Sequence, residues 1–89
     1  MQHQDLAVTN KLGLHARACA RIVHLASRFR CNIAVYFNGR RADARSILAI
    51  MMLAASMGSM IRIETNGPDE REALDAMVEL ICTDLAVDG

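Results

Sequence analysis

The sequence lacks an excess of either charge. Its 89 residues hold ten basic and ten acidic side chains, so the basic surplus with which a nucleic-acid binder grips phosphates is missing. It lacks a long hydrophobic run. No apolar stretch approaches the roughly 20 residues that cross a bilayer. The opening MQHQDLAV has no basic region and no apolar core of the secretory kind, so neither membrane insertion nor export is expected. It lacks a disulfide frame. Cys19, Cys31 and Cys82 are odd in number and show no Cys-x-x-Cys spacing, which suits reduced thiols in a cytoplasm better than bridges or a zinc site. Internal repeats, low-complexity tracts and linkers are absent as well. The length suits one domain spanning residues 1–89, and with 53% of the residues apolar a compact core needs no metal or bridge to hold it.

What is present alternates between two periods. Asp5 to Thr9 reads as a short strand with Leu6 and Val8 on one side. Asn10 to Leu14 reads as a loop hinged at Gly13. From Ala16 to Phe29 a helical period places Cys19, Ile22, Val23, Ala26 and Phe29 on one stripe, with Arg17, Arg21, His24 and Arg28 opposite. Asn32 to Phe37 is β-rich, and Asn38-Gly39 is a strong hairpin signal that returns the chain as an edge strand over Arg40 to Ala44. Ser46 is suited to cap a second helix, Ile47 to about Ala55, ending near Gly58. Met60 to Thr65 alternates again, with Ile61 and Ile63 on one face, and Asn66-Gly67-Pro68 breaks the chain. Asp69 then caps a third helix, with Glu72 as capping-box partner and Leu74, Met77, Val78, Ile81 and Leu85 as the buried stripe. The order βαββαβα predicts a two-layer α+β domain with helices over one face of a four-stranded sheet, the hairpin pair being antiparallel.

GLHARACA, residues 13–20, places an imidazole where a helix cap belongs, because Ser, Thr, Asp and Asn are all missing there. The first turn of a helix offers backbone N–H groups without partners and a partial positive charge, which together attract anions. The same field opposes a cation on the ring, leaving the imidazole to act as a nucleophile. A phosphoryl group on His15 meets those N–H groups and the guanidinium of Arg17, a natural phosphate fork. Its P–N bond keeps a high transfer potential, so the group can leave again. A histidine in this place is more often a surface residue or a local cap. Cys19, four residues on, could pair with His15 toward a metal, but no third ligand accompanies them, and a packed thiol is the simpler reading.

The second helix is apolar nearly all round: Ile47, Leu48, Ile50, Met51, Met52 and Leu53. A helix lying on a sheet buries only a stripe, so some of these side chains face outward onto a partner or a second copy, unless the helix is sunk deeper in the core. Methionine suits surfaces that adapt to several partners.

NKLGLHAR at 10–17, ARSILAIMMLAAS at 44–56 and GPDEREALDAM at 67–77 together resemble the histidine-containing phosphocarrier, or HPr, family of the bacterial phosphotransferase system, over nearly the whole chain. The resemblance implies an open-faced β-sandwich, with three helices over a four-stranded antiparallel sheet of order 1-4-2-3. It implies that His15 accepts a phosphoryl group on its pros nitrogen from enzyme I, itself charged by phosphoenolpyruvate, and passes it to enzyme IIA proteins for sugar uptake. Arg17 matches the family's arginine partner, with the amides of Ala16 and Ala18 beside the phosphate. Ser46 matches the serine that a dedicated kinase modifies in some bacteria, and Ile47, Leu48 and Met51 match partner-docking positions. Many members carry proline after the arginine; Ala18 here restores an amide donor at the cost of a slightly looser turn. The resulting expectation is a cytoplasmic, monomeric, stoichiometric carrier without cofactor or metal. The NPr carrier of the nitrogen-related phosphotransferase system and a regulatory binding module acting through Ser46 and the apolar helix are the alternatives. A self-contained enzyme is not expected, since no carboxylate cluster for a metal is present and so short a chain implies no substrate-sized cleft.

Overall fold

The computed structural model describes residues 1–88. Four strands form one sheet: β1 (Gln2–Ala7), β2 (Asn32–Phe37), β3 (Arg40–Asp43) and β4 (Met60–Asn66), in the spatial order β1-β4-β2-β3. Every neighbouring pair is antiparallel. The register sets Leu6 opposite Ile61, Val35 opposite Ile63 and Ile33 opposite Thr65, and all six side chains are buried. The alternate residues form the outer face, where Asp5 lies opposite Arg62 and accepts its Nε–H at 2.8 Å. Three helical elements cover the inner face: α1 (Ala16–Ala26), α2 (Ile47–Leu53) and α3 (Glu70–Glu79). The last continues through a wide π-helical segment, Leu80–Asp84, into a final turn, α4 (Leu85–Asp88). This is the open-faced two-layer arrangement expected from the sequence.

The core joins both layers. Cys19, Ile22 and Ala26 of α1, Ile50 and Leu53 of α2, and Leu74, Met77, Ile81 and Leu85 from the C-terminal helical run meet the sheet's inner side chains. The two long helices pack together with opposite charge. Arg17 and Arg21 stand on α1 without an acid, while α3 carries Glu70, Glu72, Asp75 and Glu79 against the single base Arg71.

Several boundaries differ from the sequence reading. β1 begins at Gln2 rather than Asp5, because its ladder to β4 continues under Gln4 and Gln2, whose polar side chains hide the alternation. Val8 lies beyond the strand yet is buried, exchanging backbone hydrogen bonds with Ser59 and Gly58 at 2.9 and 2.8 Å. α1 stops at Ala26, where the Ser27 hydroxyl donates back to the His24 carbonyl at 2.6 Å. α2 ends at Leu53, capped by Ala54 in a left-handed conformation (φ +55°). The capping box on α3 does not form. Asp69 occupies the cap position, but its carboxylate accepts the amides of Arg30 and Cys31, both at 2.9 Å, and so ties α3 to the start of β2. Glu70, not Glu72, reaches back to the Gly67 amide, at 3.1 Å. The hairpin forms as expected, with Asn38 and Gly39 both at positive φ.

Candidate functional site

The loop between β1 and α1 is held from three sides. The Gly13 amide donates to Asn10 O at 3.0 Å, and the buried Asn10 side chain returns a hydrogen bond to Gly13 O. Leu14 N–H donates to Ala55 O at 2.9 Å, reaching across to the chain just after α2. Gly13 has φ +64°, and a β-carbon there would stand 2.6 Å from Ala55 O, so glycine is required on both counts. Beneath the loop, the fully buried Cys19 thiol donates to Leu14 O at 3.3 Å. Burial pushes that thiol's pKa up to about 11, which makes it a poor metal ligand and a poor nucleophile. No group of three His, Cys, Asp or Glu side chains is placed to hold a metal among the described residues.

His15 follows as the N-cap residue of α1, with an extended backbone (φ −79°, ψ 176°). Its carbonyl accepts the first helical bond, from Cys19 N–H at 2.9 Å. Its ring caps nothing, so the half-buried imidazole stands beside the helix end without being spent on it. The amides of Ala16, Arg17 and Ala18 meet no acceptor among the described residues. The Arg17 side chain is exposed and makes no hydrogen bond or ion pair among them either. A ring not spent on capping, three amides without acceptors and an exposed guanidinium two residues on are the groups that a phosphoryl dianion on the ring requires. His3 and His24 are exposed, on the sheet's outer face and the outer flank of α1, and neither stands at a helix start.

Ser46 caps α2 as its sequence position suggests, its hydroxyl accepting Ala49 N–H at 3.2 Å. Ile50 and Leu53 turn inward. Ile47, Leu48, Met51 and Met52 turn outward, Leu48 being 66% exposed and Met51 40%. Ile47, Leu48 and Met51 are therefore open to solvent, which rules out the reading that sinks the whole helix in the core. Two members of the apolar surface were not legible in the sequence: Leu12, one residue before Gly13, and Met57, one residue after Ser56. Both are exposed, and the close approach of Gly13 to Ala55 and Ser56 brings their two loops together. Their only local signal is an apolar residue in a turn.

A family described as "PTS HPr component phosphorylation site" matches residues 2–83. The phosphocarrier protein HPr of Cupriavidus necator is 51% identical over 81 residues, covering 91% of either chain. The phosphocarrier protein NPr of Proteus mirabilis is 38% identical over 80 residues, covering 89% of either chain. Among solved structures, HPr-C-His from Thermoanaerobacter tengcongensis superposes with a TM-score of 0.91 at 38% identity, covering 96% of both chains.

Proposed function

The chain belongs to the HPr family of the phosphotransferase system, and from that premise we propose that it carries a phosphoryl group on His15, taken from enzyme I and delivered to enzyme IIA proteins. The observation that carries this reading is the set of three partnerless amides at Ala16, Arg17 and Ala18, immediately beyond a histidine whose ring caps nothing. The ring nitrogen supplies its lone pair to phosphorus, and the bond from phosphorus to the donor breaks with its electrons returning to the donor. The phosphoryl oxygens accept from the waiting amides and from the Arg17 guanidinium. Because the helix fixes the amides before the group arrives, they need little reorganisation on transfer. Delivery runs the same steps in reverse onto the next acceptor, so the protein needs no further chemistry of its own. Ala18 keeps an amide donor that a proline would remove.

The apolar face of α2, with Ile47, Leu48 and Met51, docks the partners beside the histidine. Ser46 serves as a helix cap and, in a host with the matching kinase, as a regulatory phosphorylation site. The reading takes the carrier to be a monomer working in the cytoplasm; no described helix is long and apolar enough to cross a membrane.

The test is labelling from radioactive phosphoenolpyruvate with purified enzyme I. The wild type and His24→Ala take up label, and His15→Ala does not; label retained in His15→Ala overturns the assignment. The likeness to NPr supports a second reading, a carrier of the nitrogen-related branch. It uses the same histidine and amides, and the enzyme I paralogue that charges the protein faster identifies the branch.

A further inference from the structure

Exposed sulfur is concentrated on one stretch of the chain. Four of the six methionines, Met51, Met52, Met57 and Met60, fall between positions 51 and 60. They are 40–63% exposed, whereas Met77 is fully buried. Met51 and Met52 stand on α2, Met57 in the turn after Ser56, and Met60 at the head of β4. Two of the four adjoin the histidine loop or the face beside it. Met51 shares the outer face of α2 with Ile47 and Leu48, and Met57 follows the Ala55–Ser56 segment against which Gly13 closes. The other two lie aside: Met52 borders a groove with Arg40 and Arg41, and Met60 borders one with Phe37 and Arg62. Two of the thiols compete poorly for an oxidant, because burial pushes both Cys19 and Cys31 up to about 11 and neither offers a thiolate. The third thiol, Cys82, is exposed.

We propose that Met51 and Met57 are sites of reversible sulfoxidation by hydrogen peroxide, and that their sulfoxides turn down phosphoryl transfer through His15. A thioether needs no ionisation to react. Its sulfur gives a lone pair to one peroxide oxygen, the O–O bond breaks, and the other oxygen leaves as water. Sulfur is oxidised by two electrons and the peroxide is reduced by two. The reverse step uses two thiols of a methionine sulfoxide reductase, which close to a disulfide while the oxygen departs as water. A sulfoxide in a core disrupts packing, but these side chains stand outside it and the one core methionine is shielded. Oxidation therefore rewrites the surface and spares the fold. A thioether on an apolar face sheds its water readily when a partner seats on it. A sulfoxide oxygen holds that water, and burying it without a donor is costly. The effect on transfer rests on the function proposed above; the modification itself does not.

The experiment treats the full chain carrying Cys82→Ser with millimolar hydrogen peroxide and locates the added oxygens by peptide mass spectrometry. Met51 and Met57 are expected to oxidise with Met52 and Met60, while Met77 stays reduced and the thermal midpoint holds. The KM for this carrier at enzyme I, read by labelling from phosphoenolpyruvate, is expected to rise about tenfold, the value of one apolar side chain lost from an interface. Methionine sulfoxide reductases of both stereospecificities restore it. Each variant is compared with itself before and after peroxide. Met51→Leu with Met57→Leu keeps the apolar face without its sulfur, and its KM does not respond. Met52→Leu with Met60→Leu responds as the parent does. Reduced Met51 and Met57 after treatment overturn the modification site. A KM that oxidation leaves alone, or that rises equally in the Met51→Leu, Met57→Leu protein, overturns the regulation. So does a falling midpoint with oxidised Met77, or a rise in KM that the reductases leave in place, since either marks damage. If the untreated protein takes no label from enzyme I, the carrier function fails and the regulation with it, while the map of sulfoxides and their reduction still decides the modification.

Discussion

Leu14 donates its amide to the carbonyl of Ala55 at 2.9 Å, and through that bond the loop carrying His15 is fastened to the chain that leaves α2. The imidazole and the apolar face proposed for docking are thereby joined through one backbone contact. On the function proposed, a partner seated on Leu48 and Met51 would meet the ring at a set offset, and positioning of this kind is a large part of what a group-transfer site can contribute.

Gly13 makes that junction possible, so Gly13→Ala is expected to be costly. A left-handed non-glycine residue costs about 1–3 kcal/mol, and the added β-carbon would stand 2.6 Å from Ala55 O. The thermal midpoint falls, and transfer slows further than the loss of folded protein explains. An unchanged midpoint and rate would show that the two segments part without penalty.

Arg17→Ala is expected to slow phosphoryl transfer roughly ten- to hundredfold, the equivalent of one charge-assisted contact of roughly 1.5–3 kcal/mol. Stability should hold, because the side chain makes no hydrogen bond or ion pair among the described residues. Stopped-flow transfer rates and a melting curve separate the two effects. A lowered midpoint with normal transfer would assign the arginine a structural role.

Leu48→Glu and Met51→Glu are expected to weaken enzyme I binding while shifting stability by no more than about 0.5 kcal/mol, as exposed positions do. Ile50→Ala, on the buried side of the same helix, is expected to lose about 2–5 kcal/mol of stability. Calorimetric titration and denaturant unfolding of the three variants distinguish the faces. Affinity unaffected by both charged variants refutes docking through α2.

Ser46→Ala removes the hydrogen bond to Ala49 N–H and is expected to cost about 1 kcal/mol. Ser46→Asp keeps a capping oxygen and adds a negative charge beside the docking face. It should raise the KM for this carrier at enzyme I with little change in stability, and the effect should shrink as salt screens exposed charge over about 10 Å. Equal KM values for Ser46→Asp and wild type at low salt would leave the serine a cap alone.

Asp69 supplies a pH prediction. The Arg30 amide, assisted by that of Cys31, holds its carboxyl below the ordinary aspartate value of 3.8, against the opposing pull of burial. A carboxyl depressed in the folded state adds stability that is fully present above the unfolded value and is lost as pH falls through the folded one. Asp69→Asn is therefore expected to be less stable than wild type at neutral pH, with the difference narrowing below about pH 4. Melting curves across that range give the answer; a constant difference contradicts the linkage.

The sequence displayed the features whose causes are local. The Asn38-Gly39 turn, the bounds of β2 and the Ser46 cap each follow from a few adjacent residues. So does the uncapped start of α1 at His15. What stayed hidden depends on residues far along the chain. Asp69 looks like a helix cap until β2 presents two free amides to it, nearly forty positions away. β1 reaches back to Gln2 only because β4 is there to pair with it. Leu12 and Met57 join the apolar surface only once Gly13 has closed against Ser56. Cys19 could be read as half of a metal site, and its burial beneath Leu14 removes it from the surface chemistry.

α1, with two arginines and no acid, packs beside α3, with four acids and one arginine, so charge is separated locally within a chain of zero net charge. A uniform field exerts no net force on it but does exert a torque. An acidic surface approaching through solution turns the α1 side toward itself before any contact is made, and the α3 side away. Encounters then begin with a biased orientation, and the association rate falls as salt is added even though no net attraction is being screened.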